Sequence, residues 1–537
     1  MTDPVQYSAL TGMTYLGNLL VGTGALALPR AFQDAGYILG IAVLTFISFM
    51  SFLNMTFVVE VLSAVGASVK MKRVHSLDAS PINTPTHLED DEEHCTIRKH
   101  IDISNDEEGQ SSEALPEDFF DMTERIELGR AVNILLGYVG WLFFYTCMIL
   151  YLFGDLAIYG AVVPKSLMNA ICTYIPDSLD NQTSGFSPNL SDNLPCWKSE
   201  SVDITRFNVY RVIVTMFGMV LGPFVFFGMT QTRYYQYVAS FLRWLSFTIM
   251  VVWATCRAVM YWHISGLIPA RIDQFTNLFG TSIYSFMCHH SLPGIITPMK
   301  TKRNIYHLVA VVYCLVLLFY LAISLTGVMA FRHVEDVYVL NFFQLEAKDP
   351  HLNIFGSIIR YFLVLYPVFT ISSNYPIIGI TLRRNIDTLF FSANPSKKEP
   401  TARYGLATEV DVTSSQELLV GSNGNEVVSF QQQSKMRHIL RGVFLPLLVV
   451  TVPLSVAFFT DDVEVLISAT GSYAGVGIQY IVPTWLAWKV RRSYKALYEA
   501  MPTHYVSPFR STAWLALSFC WALFSICIVT VNHFMDS

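Results

Sequence analysis

Long apolar runs without an acidic or basic residue recur along the chain: Tyr37–Val59, Ala131–Gly154, Val212–Thr232, Asn304–Phe331, Tyr361–Leu382, Val465–Trp488 and Ser511–Met535. A helix needs about 20 apolar residues to cross the hydrocarbon of a bilayer. Its backbone groups must be satisfied within the crossing segment. The pattern therefore predicts an all-α membrane protein with about eleven spans, near 8–33, 37–63, 129–162, 209–230, 236–257, 275–298, 306–331, 354–382, 440–460, 463–488 and 511–534. Two stretches interrupt it. Lys70–Arg125 is polar, with the acidic run Glu89, Asp90, Asp91, Glu92 and Glu93, and Arg383–Lys435 is rich in Ser, Asn, Gln and charge. Both hold too little apolar surface to offset chain entropy and read as disordered linkers. The expected organisation is 1–63 with spans one and two, an acidic cytoplasmic loop 64–127, spans three to five within 128–257, spans six to eight within 275–382, a second cytoplasmic loop 383–435, and spans nine to eleven within 436–534.

Composition sharpens this picture. Of the 537 residues 53% are hydrophobic and 14% charged, where a soluble domain carries nearer a quarter charged residues. Mean hydropathy is +0.42. The net charge of -6 points to no acidic partner, and the basic residues form no patch with interleaved aromatics, so no nucleic-acid surface is expected. Residues 1–10 contain no basic segment or cleavage site of a signal peptide. Lys and Arg set the orientation. With a cytoplasmic N-terminus, the cytoplasmic loops hold Lys70, Lys72, Arg73, Lys300, Lys302, Arg303, Arg383, Arg384, Arg437, Arg441, Lys489, Arg491, Arg492 and Lys495, and the opposite loops are sparser. Two glycosylation sequons, at Asn181 and Asn189, then fall in the non-cytoplasmic loop 165–206. Cys172 and Cys196 share that oxidising side, which predicts a disulfide. An odd number of spans puts the C-terminus outside the cell or in a lumen.

Candidate chemistry lies where polar or helix-breaking residues interrupt a span. In span one, Gly22-Thr23-Gly24 precedes Pro29. This reads as a discontinuous helix whose second part offers amides to a carboxylate, or as a face for close helix packing. In span six, Tyr284-Ser285-Phe286-Met287-Cys288-His289-His290-Ser291-Leu292-Pro293-Gly294 breaks a second run five spans later. Interrupted segments at matching positions of two halves point to a transporter site between inverted repeats. The two histidines lack further ligands nearby, which argues against zinc. In span eight, Thr370, Ser372, Ser373 and Asn374 between Pro367 and Pro376 offer oxygen to a cation such as Na⁺, or bond back to their own helix. Asp155 and Glu60 are intramembrane acids able to relay protons, although snorkelling to an interface explains Glu60 and Arg360 as well. Gly471–Gly477 in span ten reads as a stripe for close packing. No nucleophile–base pair appears at a catalytic spacing, so no enzyme is expected.

The stretch Asn18-Leu19-Leu20-Val21-Gly22-Thr23-Gly24 resembles the first-helix signature of the amino acid/auxin permease branch, which includes the sodium-coupled neutral amino acid transporters. Val21–Phe32, Gly154–Tyr159, Tyr284–Pro298 and Pro367–Ile378 resemble the transmembrane protein 104 family within it. The resemblance runs through nearly all spans and fails in the two long loops. It implies a leucine-transporter-type fold, a 5+5 inverted repeat of spans one to five and six to ten plus one C-terminal helix. It also implies substrate between spans one and six, and a Na⁺ ligand at Asn18 with a second from Thr370, Ser372 or Ser373. His289-His290 departs from the better-known amino acid carriers. The substrate-binding candidates are thus Gly22, Thr23, Gly24, Tyr284, Ser285, His289 and His290, with Asp155 and His290 as proton relay candidates. The expected function is secondary transport of an amino acid or related solute coupled to Na⁺ or H⁺, with no bound cofactor. In the H⁺ case, uptake would depend on pH near 6.5, the unperturbed value for histidine. The alternative is a solute sensor or scaffold acting through cytosolic partners of loops 64–127 and 383–435. The plasma membrane and the lysosomal or endosomal membrane both fit.

Overall fold

A computed structural model describes residues 6–78, 117–124, 126–172, 174, 193–197, 204–227, 233–261, 268–344, 354–391 and 440–535. The described residues are helical, with isolated bridges at Tyr7–Met299 and Pro195–Thr205 in place of any sheet. In chain order the helices are α1 (Ala9–Leu20), α2 (Gly24–Ala35), α3 (Tyr37–Asp78), α4 (Leu128–Ile171), α5 (Arg206–Phe227), α6 (Arg233–Tyr261), α7 (Phe275–Ser285), α8 (Leu292–Ile296), α9 (Ile305–Ala330), α10 (Leu340–Gln344), α11 (Ile354–Ser372), α12 (Tyr375–Phe391), α13 (Leu445–Phe459), α14 (Val463–Thr470), α15 (Val482–Ser493), α16 (Lys495–Ala500) and α17 (Thr512–Met535). Nine helices among the described residues are long and apolar enough to cross a membrane, with α11–α12 counted as one and the stretch from α14 to α15 as another. The protein is a multi-pass integral membrane protein. Pro stands second in α8, where its missing N–H falls in the first turn.

The chain forms two compact units. One comprises Met1–Cys147, Ile268–Leu325 and Gly471–Ser537. Its core is built on α2 and α7. Ala25, Ala27, Leu28 and Phe32 of α2 are fully buried, as are Leu278, Phe279 and Ile283 of α7. Small residues let these backbones approach. A Cβ on Gly24 would stand 2.3 Å from Ser285 Oγ and 2.9 Å from Ser285 Cα. A Cβ on Gly471 would stand 2.1 Å from the Gly280 carbonyl oxygen. Gly471 opens two π-helical stretches, Gly471–Gly475 and Gly477–Ile481, so span ten is wound more widely where it meets α7.

A short strap closes one end of this unit. Residues 117–120 form a 3₁₀ turn, and Phe120 is fully buried. Ser63 Oγ of α3 donates to Phe120 O (2.8 Å), and Lys70 Nζ donates to Asp121 O (3.1 Å). The Asp121 carboxylate takes Lys302 Nζ at 3.1 Å and the Tyr505 hydroxyl at 3.0 Å. Beside it, the fully buried Glu60 accepts Arg491 Nε (2.8 Å), Arg491 Nη2 (3.0 Å) and Ser507 N (2.9 Å). This corrects the snorkelling reading of Glu60: it is one half of a buried bidentate pair. The disordered reading of 64–127 does not extend to its ends, since α3 continues to Asp78 and the strap is packed. Likewise α12 carries helix to Phe391. The N-terminal arm docks on the same unit, with Tyr7 N bonding Pro298 O, Lys300 N bonding Tyr7 O (each 3.1 Å), and the Tyr7 hydroxyl donating to Ile295 O. Burial, with Tyr15 beside it, pushes the Tyr7 phenol up to about 12, so it stays a donor.

The other unit comprises Met148–Leu267 and Thr326–Thr470. Its α5 packs on α13, and the Tyr210 hydroxyl donates to Ala457 O (2.6 Å). At one end, Lys165 Nζ meets Asp336 Oδ2 (2.7 Å) and Asp461 Oδ2 (3.4 Å), tying α4 to two loops. Cys172 and Cys196 form the expected disulfide. Arg206 Nη2 donates to Asn169 Oδ1 (2.5 Å) beside it.

Candidate functional site

In the first unit the two interrupted runs are broken helices, and the breaks touch. α1 ends at Leu20, Val21 N caps it on Gly17 O (2.9 Å), and α2 begins at Gly24. α7 ends at Ser285, residues 286–288 leave the helix, and His289–Ser291 form a 3₁₀ turn before α8. Thr23 Oγ1 lies 2.9 Å from the Tyr284 hydroxyl, a buried bond from one break to the other. The Tyr320 hydroxyl of α9 lies 2.7 Å from Leu20 O and 3.0 Å from Ser285 O. Its one proton is shared between the last turns of α1 and α7. Carbonyls freed at helix ends need such partners. The amides of Ala25 and Leu26 bond to Gly22 O (3.3 Å) and Thr23 O (3.0 Å), so these two are engaged within the first turn of α2. Pro29 is the sixth residue of α2 and so leaves the Ala25 carbonyl without its helical donor, which a proline in the first turn would not do.

The span-six break is also held by α3. His289 Nε2 lies 3.1 Å from Ser51 O. A carbonyl oxygen only accepts, so Nε2 carries the proton. Ser51 Oγ lies 3.2 Å from Phe286 O and 3.0 Å from the Tyr313 hydroxyl. His289 is fully buried and His290 is half-buried. Around these breaks several polar atoms are buried with no hydrogen-bond partner among the described residues: Thr281 Oγ1 and Ser282 Oγ on α7, Ser472 Oγ next to the Gly471–Gly280 contact, and His289 Nδ1. Each such group costs about 1–3 kcal/mol, and their presence together calls for an explanation such as a polar ligand.

The span-eight candidates lie in the second unit. α11 ends at Ser372, and Tyr375 opens α12. Thr370 Oγ1 donates to Tyr366 O (2.8 Å) and Ser373 Oγ to Thr370 O (2.9 Å). Back-bonding uses the hydroxyl proton and leaves lone pairs for a cation. In the same unit, Tyr159 hydrogen-bonds Asn374 within electrostatic reach of Asp155 and Arg243, and Tyr366 hydrogen-bonds Arg243. Asp155 is buried and thus belongs to a polar cluster with Tyr159, Arg243, Tyr366 and Asn374.

The structure therefore gathers Thr23, Gly24, Tyr284 and Ser285, with Gly22 in the break beside them. Asn18 sits half-buried in the last turn of α1. Thr370, Ser372, Ser373 and Asp155 belong to the other unit. Asn181 and Asn189 lie outside the described residues. Sequence reasoning missed Tyr320, Ser51 and Tyr313. The available signal was a phenol or hydroxyl within an aliphatic span, which needs a partner when buried.

Broken helices bonded to one another through side chains, in a multi-pass protein, are a feature of the transporter class. The family described as transmembrane amino acid transporter protein matches residues 6–76 and 118–531. The chain is 35% identical to the transmembrane protein 104 homolog of Caenorhabditis elegans, over 98% of this chain and 96% of that protein. It is 34% identical to transmembrane protein 104 of Mus musculus with the same coverage, and 28% identical to the homolog of Dictyostelium discoideum over 91% of this chain. The chain belongs to the transmembrane amino acid transporter family, in the group of transmembrane protein 104.

Proposed function

We propose that the protein is a secondary active transporter of amino acids or related small polar solutes. The observation that carries this reading is the pair of joined breaks, Thr23 to Tyr284, flanked by the unpartnered polar atoms of Thr281, Ser282, Ser472 and His289. A zwitterionic solute supplies a carboxylate and an ammonium, and so answers both donors and acceptors. In this reading α1–α2 and α7–α8 are each one broken span. Added to the nine long helices they make eleven, arranged as two inverted repeats of five and one further helix. The N-terminus is cytoplasmic, the 165–206 loop carries glycans on Asn181 and Asn189, and the membrane is that of the cell surface, lysosome or endosome. The solute lies against Gly22, Thr23, Gly24, Tyr284, Ser285, His289 and His290.

Two coupling schemes follow from the named residues. For Na⁺ the candidate ligands are Asn18 in the first unit and Thr370, Ser372 or Ser373 in the second, and for H⁺ the candidate carriers are Asp155 and His290. The test is uptake of radiolabelled amino acids by liposomes holding the purified chain, under a Na⁺ gradient and separately under a pH gradient. Uptake under one of the two gradients is the expected result, and absence of uptake under both, from folded and oriented protein, overturns the carrier reading.

A second reading, a solute sensor, is favoured by the packed strap. Lys302, six residues beyond α8, is tied to Asp121 at the end of the acidic loop, so a change at the span-six break has a path to that loop. Solute-dependent recovery of cytosolic partners without flux would distinguish it.

A further inference from the structure

The second unit carries a groove unrelated to the broken helices. A cavity of about 730 Å³ runs between α5 and α13, lined by Val214, Met219 and Phe226 on one side and Leu447, Leu454 and Phe459 on the other. Its volume falls within the range of small-molecule sites. Its three hydroxyls spend their protons on their own helices, so they offer no donor to the groove: Thr215 Oγ1 donates to Arg211 O (2.9 Å), Thr451 Oγ1 to Leu447 O (2.8 Å) and Ser455 Oγ to Thr451 O (2.8 Å). The wall therefore offers hydrocarbon and suits hydrocarbon. From Val214 to Phe226 the helix rises about 18 Å, close to the roughly 15 Å of one leaflet's hydrocarbon. Met219 and Phe459 on its rim are exposed.

One end of the groove is cationic. Arg383 lies at the rim where Phe226 ends the lining, with Nη1 on Phe226 O (3.5 Å) and Nη2 on Arg441 O (3.1 Å). Arg384 follows it and is exposed. Arg441 is matched by Asp387 at 2.9 Å. Among the described residues, two guanidiniums of α12 thus exceed the acid paired beside them, at the end of the groove where a headgroup would sit if a lipid chain lay in it. Guanidinium pairs well with phosphate. We propose that this groove holds an acyl chain of a glycerophospholipid of net negative charge, with its phosphate on Arg383 and Arg384; a choline headgroup brings the same phosphate together with a cation that the two guanidiniums repel.

The test uses the full chain in nanodiscs containing a trace of phosphatidylserine or phosphatidylcholine, each with the same photoactivatable acyl chain. Crosslinks are mapped by mass spectrometry. On the unaltered protein, phosphatidylserine should label peptides 214–226 and 447–459 several-fold more than phosphatidylcholine. R383Q with R384Q should bring the two lipids to the same level, and T451F with S455F, which fills the groove, should abolish both. Equal labelling by the two lipids on the unaltered protein overturns the proposal without reliance on any variant. So does labelling confined to other helices, or crosslinks between two copies at these peptides.

Discussion

Gly24 and Gly471 hold α2 and span ten against α7 at distances no Cβ tolerates. For G471A the obstruction is the Gly280 backbone carbonyl, which no rotamer change relieves. G24A meets both the hydroxyl and the Cα of Ser285. Both variants should lose folded yield in detergent, with G471A the more severe. G66A is the control, since nothing lies within 4 Å of its added carbon. It should match or exceed the parent by up to about 1 kcal/mol, because alanine suits a helix better than glycine. The Thr23–Tyr284 bond is read by a double-mutant cycle. T23V and Y284F should each lower thermal stability by about 1 kcal/mol, and the double variant should add little to either. Full additivity would show that the two hydroxyls do not depend on one another. The glycines were legible in the sequence as a break or a packing face, and the structure makes them both. Their partners were not legible: nothing in the run around Tyr320 indicates that its hydroxyl lies near Leu20 and Ser285, which are hundreds and tens of residues away.

Elements show where periodicity misleads. The apolar run from Tyr37 marks a span well, but it gave no hint that the helix continues to Asp78. That extension is polar, and it is held by tertiary partners such as Asp121 and Glu124, which lie past a long insertion. Glu60 read as an interface residue because its neighbour in the chain is lipid-like, whereas its charge partner Arg491 is supplied by α15. Removing one half of a buried pair leaves the other uncompensated, at a cost of about 3–5 kcal/mol. E60Q and R491Q should each therefore reduce folded protein sharply on size-exclusion chromatography. E60L with R491M should recover much of the loss, since apolar replacement of both partners is tolerated.

At the scale of the molecule, the fold class followed from hydrophobic runs because lipid leaves the backbone few choices. The disulfide followed from compartment alone. It closes a separation of 24 residues, which corresponds to about 3 kcal/mol. C172S and C196S should each lower the melting temperature of the purified protein, and a reductant should do the same to the parent and nothing to either variant. The polar cluster of Asp155, Arg243 and Tyr366 was less legible, because these residues lie far apart in sequence and their types are common.

The strap at 117–124 has a consequence for how much this chain can carry. The match to the transmembrane amino acid transporter family stops at 76 and resumes at 118, and the interval between is bounded on one side by α3 and on the other by a packed anchor. Lengthening a closed loop costs only about 0.6 kcal/mol per doubling. That interval therefore tolerates added length at little cost in stability. A fluorescent protein inserted near residue 100 should leave the melting temperature unchanged, while the same insertion made at 122, inside the anchor, should not.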